Sequence, residues 1–305
     1  MDLEQELLQE GIDPGLLREA AAFRKAHPAG EMRDRIPAPR FLYYGKEVWE
    51  EAAAALLCGE NLLLAGPKAT GKNVLAENLA TLFGRPCWNI SLSIQADSSE
   101  LIGTDTFRDN RVSFRPGPVA ECARCGGFGI LDEINMARNE TLAVLHATLD
   151  FRRVIDVPGY DRIVLDEATR FIATMNYGYA GTRDLNEALT SRFAVIEMPP
   201  VEQDALCRLM KREFPDIRDR WAGQLADLFK ELENKCESAE ISSKSLDLRG
   251  LLSAVRLMKK GIGADAALRM GIANKSFDPF ERQLVMDTIR ARIPKSIRPE
   301  EIFGP

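Results

Sequence analysis

Eight residues, Gly66-Pro67-Lys68-Ala69-Thr70-Gly71-Lys72-Asn73, constrain this chain more than any other stretch. They have the G-x-x-x-x-G-K spacing of a phosphate-binding loop and follow a short apolar run, Asn61-Leu62-Leu63-Leu64-Ala65, of the buried parallel-strand kind. After the loop, Val74, Leu75, Leu79, Leu82 and Phe83 recur at the spacings of an amphipathic helix that Gly84 terminates. Strand, glycine turn and helix form the context that the motif requires. Glycines let backbone N–H groups turn inward around phosphates, and the helix N-terminus adds the positive end of its dipole. Lys72 would place its ammonium on the β and γ phosphates. A chance glycine turn would need all three neighbouring signals to agree by accident.

The pattern continues on both sides. Lys46 to Cys58 has helical spacing and Gly59 ends it, while further apolar strands are expected at Cys87 to Leu92, Phe128 to Asp132, Arg170 to Met175 and Phe193 to Met198. Strands alternating with helices imply a parallel sheet covered on both faces. Two segments interrupt this order. Thr104 to Phe107 and Arg111 to Phe114 flank Arg108-Asp109-Asn110, and Arg152 to Val157 and Arg162 to Leu165 flank Pro158-Gly159-Tyr160-Asp161. Both read as hairpin insertions, near 101–118 and 151–166, expected to project from the core.

After Pro199-Pro200 only helices are expected, around Gln203 to Phe214, Arg220 to Glu231, Arg249 to Lys260, Ala264 to Ala273 and Pro279 to Ile293. The fold class is therefore α/β, a P-loop core of parallel sheet flanked by helices, followed by a smaller all-helical domain. The expected boundaries are 1–40 for an N-terminal extension of two short polar helices, 41–200 for the nucleotide-binding domain and 201–305 for the helical lid.

A chain of 305 residues with 45% apolar and 28% charged residues can bury a real core, which excludes wholesale disorder. A net charge of -6 gives no general attraction to nucleic acid or anionic lipid. The acidic start, Asp2-Leu3-Glu4-Gln5-Glu6, is unlike a secretory signal, and no apolar run reaches the ~20 residues of a membrane span. The expectation is a cytoplasmic protein, with no membrane partner, whose six cysteines are reduced thiols. Cys122 and Cys125 form a C-x-x-C without a second pair. His27 and His146 are the only histidines, so no zinc site is expected.

Phe128-Gly129-Ile130-Leu131-Asp132-Glu133 is an apolar strand ending in two carboxylates, with Asp132 read as the metal-side group and Glu133 as the water-side group. Alone, such a pair means little; its position downstream of the phosphate loop gives it weight. Phe171-Ile172-Ala173-Thr174-Met175-Asn176 puts an amide at the C-terminal end of another strand, the edge where ligands of parallel sheets collect. Asn176 can position an attacking water there, or simply satisfy local backbone. Arg192, in Ala188-Leu189-Thr190-Ser191-Arg192-Phe193, is by itself a cation near a helix end.

With these residues assembled, the chain resembles the MoxR group of AAA+ ATPases from about Tyr43 to Lys260. The resemblance is carried by Phe114-Arg115-Pro116-Gly117-Pro118-Val119, Leu131-Asp132-Glu133-Ile134-Asn135, Ala173-Thr174-Met175-Asn176, and Tyr179-Ala180-Gly181-Thr182 leading into Leu185-Asn186-Glu187-Ala188-Leu189. It implies ATP and Mg2+ as ligands, Asn176 as first sensor, Arg192 as the arginine finger of a neighbouring subunit, and Arg249 as second sensor. Tyr43 and Tyr44 match the adenine-pocket segment. A homo-oligomeric ring, usually a hexamer, is also implied, with the hairpins facing a protein client such as a von Willebrand A domain protein.

Position 73 departs from the pattern. The group has Ser or Thr there, whose hydroxyl ligates magnesium, whereas Asn73 offers an amide oxygen on a longer side chain. Three functions follow as expectations. The first is ATP hydrolysis coupled to remodelling or activating a partner protein. The second is a nucleotide-gated assembly scaffold with little turnover. The third is a nucleic-acid motor, supported only by the arginines Arg108, Arg111, Arg115, Arg152 and Arg153 on or near the hairpins.

Overall fold

The structure, a computed structural model, describes residues 3–108, 110–177 and 184–304, the side chain of Arg108 excepted. The chain forms two compact units, one of residues 1–67 and 71–199 and one of residues 200–305 together with 68–70.

The first unit runs α1 (Leu3–Gln9), α2 (Pro14–Ala26), α3 (Lys46–Leu57), β1 (Leu62–Ala65), α4 (Lys72–Leu82), β2 (Cys87–Ser91), α5 (Ser98–Ile102), β3 (Gly103–Arg108), β4 (Arg111–Pro116), α6 (Pro118–Arg124) and β5 (Phe128–Asp132). It continues with α7 (Asn139–Leu142), α8 (His146–Leu149), β6 (Val154–Ile155), β7 (Ile163–Val164), β8 (Arg170–Met175), α9 (Glu187–Thr190) and β9 (Ala194–Glu197). Five strands form one parallel sheet in the order β2-β5-β8-β1-β9. Every residue of β1 is buried, as expected for a central strand with helices on both faces.

This order places the site. The chain leaves β1, crosses to β2 at the far edge and returns through β5 and β8 to β1 before adding β9 on the other side. Connections on either side of β1 therefore diverge, which opens a crevice at the C-terminal ends of the strands. The ends of β5, β8 and β1 lie side by side there, with Leu131 opposite Ala173 and Ala65 opposite Met175.

The segment 1–40 is read from sequence as an extension of polar helices, but its described helices α1 and α2 are built into the core of this unit. Leu7, Ile12, Leu17 and Ala20 are buried in one cluster with Trp49, Leu56, Leu75, Leu79 and Phe83, and Phe23 meets Phe83 edge-on with ring centroids 5.3 Å apart. Asp13 starts α2 by accepting a hydrogen bond from the Gly15 N–H.

The two hairpins differ from each other. β3 and β4 pair antiparallel from Gly103 opposite Pro116, and their Phe107 and Val112 stand exposed. β3 runs through Arg108, so the connection is shorter than the three-residue loop expected; Asp109 lies outside the described residues. The second hairpin does not project as expected. Its strands are only two residues each, and alternate side chains, Ile155, Val157, Ile163 and Leu165, are buried in the core cluster that also holds Val119, Leu131 and Phe171. That apolar alternation lays the hairpin against the body of the unit.

Among the described residues of the second unit the regular elements are helices, including α10 (Gln203–Glu213), α11 (Asp219–Glu237), α12 (Leu248–Lys259), α13 (Ala264–Gly271), α14 (Pro279–Arg292) and α15 (Pro299–Ile302). α12 and α13 cross at two glycines. A Cβ on Gly250 would sit 2.1 Å from the Gly271 carbonyl oxygen, and one on Gly271 would sit 2.3 Å from that of Gly250. The end of the chain returns to α11, where the Trp221 indole donates to the Glu301 carbonyl at 2.8 Å.

Candidate nucleotide site

The phosphate loop leaves β1 at Gly66, whose N–H donates to the Met175 carbonyl of β8 at 3.1 Å. Gly66 has no room for a side chain, because a Cβ there would lie 2.8 Å from the Met198 carbonyl oxygen. Pro67 is half-buried and Lys68 exposed; Ala69 takes a left-handed φ of 64°, and Thr70 is buried. Gly71 adopts φ 87° as the residue before α4, a conformation open to glycine without strain. Lys72 is the first residue of α4, and its Nζ donates back across the loop to the carbonyls of Gly66 at 3.0 Å and Pro67 at 2.6 Å. Burial lowers its pKa to about 8 against the opposing pull of Asp132 and Glu133. Asn73 follows, half-buried, on the first turn of α4.

Both carboxylates lie at the end of β5, two strands from β1, with β8 between them. Asp132 ends β5, and its Oδ1 accepts a hydrogen bond from the Thr174 hydroxyl at 2.6 Å. Glu133 turns out of the strand with φ 55°, a left-handed conformation uncommon outside glycine, and its N–H donates to the same Thr174 oxygen at 3.1 Å. Its Oε1 accepts from the Asn176 side-chain amide at 3.3 Å. Asn135 closes the group by donating from Nδ2 to the Asn176 carbonyl at 2.7 Å. Asp132, Glu133 and Asn176 are thus held in one network at the sheet edge, and the pull of both carboxylates on Lys72 places the loop lysine within their electrostatic reach.

Two members of this network, Thr174 and Asn135, are absent from the expected site. The signal for Thr174 was a hydroxyl inside an otherwise apolar strand. For Asn135 it was an amide two residues past Glu133, and the structure buries it to 2% exposure.

Tyr43 and Tyr44 lie before α3. The Tyr43 ring packs against Gly45 and Gly71, where a Cβ on Gly71 would approach it to 3.0 Å, and burial raises its pKa to about 12. Its ring forms a wall behind the loop glycine. Tyr44 is half-buried against the same core. Arg192 is engaged by groups other than Asp132 and Glu133. It donates to the carbonyls of His146, at 3.1 Å, and Ala188, and its Nη2 lies 3.4 Å from Asp150 Oδ2. Asp150 is shared with Arg152, whose hydrogen bond is the main cause holding the Asp150 pKa at about 2. Arg249 belongs to the second unit, exposed on the first turn of α12. Tyr179, Ala180, Gly181 and Thr182 fall outside the described residues.

Cys122 is fully buried on α6, burial raises its pKa well above the usual thiol value, and none of the six described cysteines is bonded to another. Among the described residues no cluster of three or more His, Cys, Asp or Glu side chains could hold a metal ion by itself. No described helix is long and apolar enough to cross a membrane.

Comparison with known proteins agrees with this geometry. The pattern of the AAA domain, dynein-related subfamily, matches residues 61–193, which begin at β1 and end just after Arg192. Uncharacterised proteins of Staphylococcus aureus strains bovine RF122 and USA300 are each 32% identical over 249 residues, covering 79% of this chain and 94% of theirs. The chain belongs to the AAA+ ATPase family. A crystal structure described as a candidate ATPase of Cytophaga hutchinsonii is similar at 15% identity and a TM-score of 0.47, covering 92% of this chain and 98% of that one. Within the AAA domain, the phosphate loop, the two carboxylates and Asn176 all fall inside the matched span.

Proposed function

We propose that this AAA+ protein binds ATP with Mg2+ at the C-terminal edge of its sheet, hydrolyses it, and uses the cycle as a MoxR-type, chaperone-like remodeller or activator of a partner protein in the cytoplasm. The observation that carries the reading is convergence. Lys72 from the loop after β1, Asp132 and Glu133 from the end of β5 and Asn176 from the end of β8 come together at adjacent strand ends.

In this reading the loop N–H groups and Lys72 hold the phosphates, Asn176 helps place a water, and Glu133 accepts its proton. The donor set suits a hard cation, because Asp132 keeps Oδ2 beyond the oxygen held by Thr174, and Asn73 supplies an amide oxygen on the same side of the loop as Lys72 in sequence. Held by Asp132 and Asn73, Mg2+ would supply positive charge to offset that of the phosphates. Arg192 is proposed to complete the site of a neighbouring subunit in a homo-oligomeric ring, probed below, and Arg249 and the Tyr43-Tyr44 segment to contact nucleotide as the MoxR resemblance implies.

The exposed Phe107 and Val112 on the first hairpin support a protein-facing surface, for which a von Willebrand A domain protein is the proposed kind of client. Arg152 and Arg153 are engaged within their own chain, with Asp150 and with the carbonyls of Asp166 and Thr169, which weighs against a nucleic-acid motor. Asn73 favours one second reading, a nucleotide-gated scaffold that scarcely turns over.

Steady-state ATPase assays with nucleotide-binding titrations separate them. The wild-type protein should turn over ATP, Lys72→Ala should lose ATP binding, and Glu133→Gln should bind ATP while hydrolysing it about a hundredfold or more slower. ATP binding without wild-type turnover would favour the scaffold. Unchanged affinity in Lys72→Ala would overturn the site.

A further inference from the structure

The Thr174 hydroxyl stands between the two carboxylates in a way that no apolar residue of the same shape could. It is buried to 1% exposure near the end of β8, one residue past the Ala173 that pairs with Leu131, and so lies beside Asp132. Its single proton goes to Asp132 Oδ1 at 2.6 Å, and its oxygen receives the Glu133 N–H at 3.1 Å. One hydroxyl thereby donates to the first carboxylate and accepts from the peptide that carries the second. Glu133 at that peptide is left-handed, with φ 55° and ψ 48°, a conformation that a residue with a side chain keeps only where its surroundings hold it. The same turn delivers the Glu133 carboxylate to the Asn176 amide.

We infer that Thr174 is a positioning residue for the proposed hydrolysis: its hydroxyl holds the Glu133 peptide in the left-handed turn and orients the Asp132 carboxylate, and so sets the distance and angle between metal-side and water-side groups. The inference rests on the ATPase reading above. It makes no claim that Thr174 touches nucleotide or water. A hydroxyl is required because the position needs a donor and an acceptor on one atom. Serine supplies both and valine, of nearly the same shape, supplies neither.

The test compares Thr174→Val and Thr174→Ser with the wild-type protein in three measurements. In hydrogen exchange without nucleotide, the Glu133 amide should be protected in wild type and Thr174→Ser and lose that protection in Thr174→Val. ATP affinity, measured by titration, should stay within about twofold in both variants, because the phosphate loop is untouched. The kcat of Thr174→Val should fall about tenfold to a hundredfold with little change in KM, the range seen when a residue orienting a functional group is removed, and Thr174→Ser should restore most of it.

Wild-type turnover matched by Thr174→Val would overturn the role of Thr174 alone. So would a Glu133 amide equally protected in all three proteins, a result that needs no hydrolysis. A fall in Thr174→Val that Thr174→Ser does not rescue would assign the position to packing and overturn the inference too. A wild-type protein without turnover would instead overturn the ATPase reading, which the exchange measurement distinguishes.

Discussion

Lys72 spends its charge in a buried place, and that has a pH signature. Burial brings its pKa from 10.5 to about 8, so between those values the unfolded chain binds more protons than the folded one. The burial therefore weighs against folding below pH 8, and the penalty fades as pH rises toward 10.5. Phosphate binding runs the other way, because it needs the ammonium. ATP affinity should hold from pH 6 to about 8 and fall about tenfold by pH 9, as a single deprotonation dictates; calorimetric titration at several pH values checks it, and a flat profile would show that Lys72 stays charged. Asn73 makes a second residue-scale case. An amide on a longer stem should place Mg2+ less well than a hydroxyl, so Asn73→Thr should lower the magnesium concentration that half-saturates hydrolysis, and superimposable titration curves for the two proteins would mark the replacement as neutral. Asp132, Glu133 and Asn176 could be singled out because they follow apolar runs whose length and flanks announce them, and Lys72 because of the glycine spacing around it. Thr174 was not, since a threonine in a strand reads as a β-former and its partner is known only when the register sets Ala173 opposite Leu131.

Among the elements, the crossing of α12 and α13 depends on a residue that disfavours helices. Glycine in a helix interior costs about 1 kcal/mol relative to alanine, yet Gly250 lies inside α12 because its backbone meets that of Gly271. Gly250→Ala should therefore destabilise rather than stabilise, by about 1–3 kcal/mol, since the added carbon meets a carbonyl oxygen that no rotamer change can move. Denaturant unfolding of the variant reads it, and a gain in stability would show that the helices can separate freely. The helix α12 was expected from its apolar spacing to within a residue at each end, but the reason for its glycine required a second helix at contact distance. The second hairpin teaches the same lesson. Its turn residues Pro158-Gly159 were clear, whereas its burial depended on where Ile155, Val157, Ile163 and Leu165 would find apolar partners.

For the whole molecule, the tie between Arg192 and Asp150 defines what assembly has to change. If Arg192 serves a neighbouring site, it must exchange Asp150 and two carbonyls for a phosphate across a subunit boundary. Arg192→Ala should then bind ATP and lose hydrolysis, and mixing it with Lys72→Ala subunits should recover part of the activity; no recovery in rings shown to be mixed would place its action elsewhere. The first forty residues have a different kind of reach. α4 carries Lys72 at one end, and about 15 Å away its last turn is gripped by the N-terminal segment, where Arg24 donates to the Leu82 carbonyl and Thr81 to that of Pro37, while Asn78, nearer the middle, spans Phe41 and Tyr43. A helix held at both ends transmits a pull along its axis. Whatever is attached to or docks on the amino terminus therefore has a handle on the lysine of the phosphate loop, and nucleotide should in turn slow hydrogen exchange in residues 14–37, which the loop does not touch.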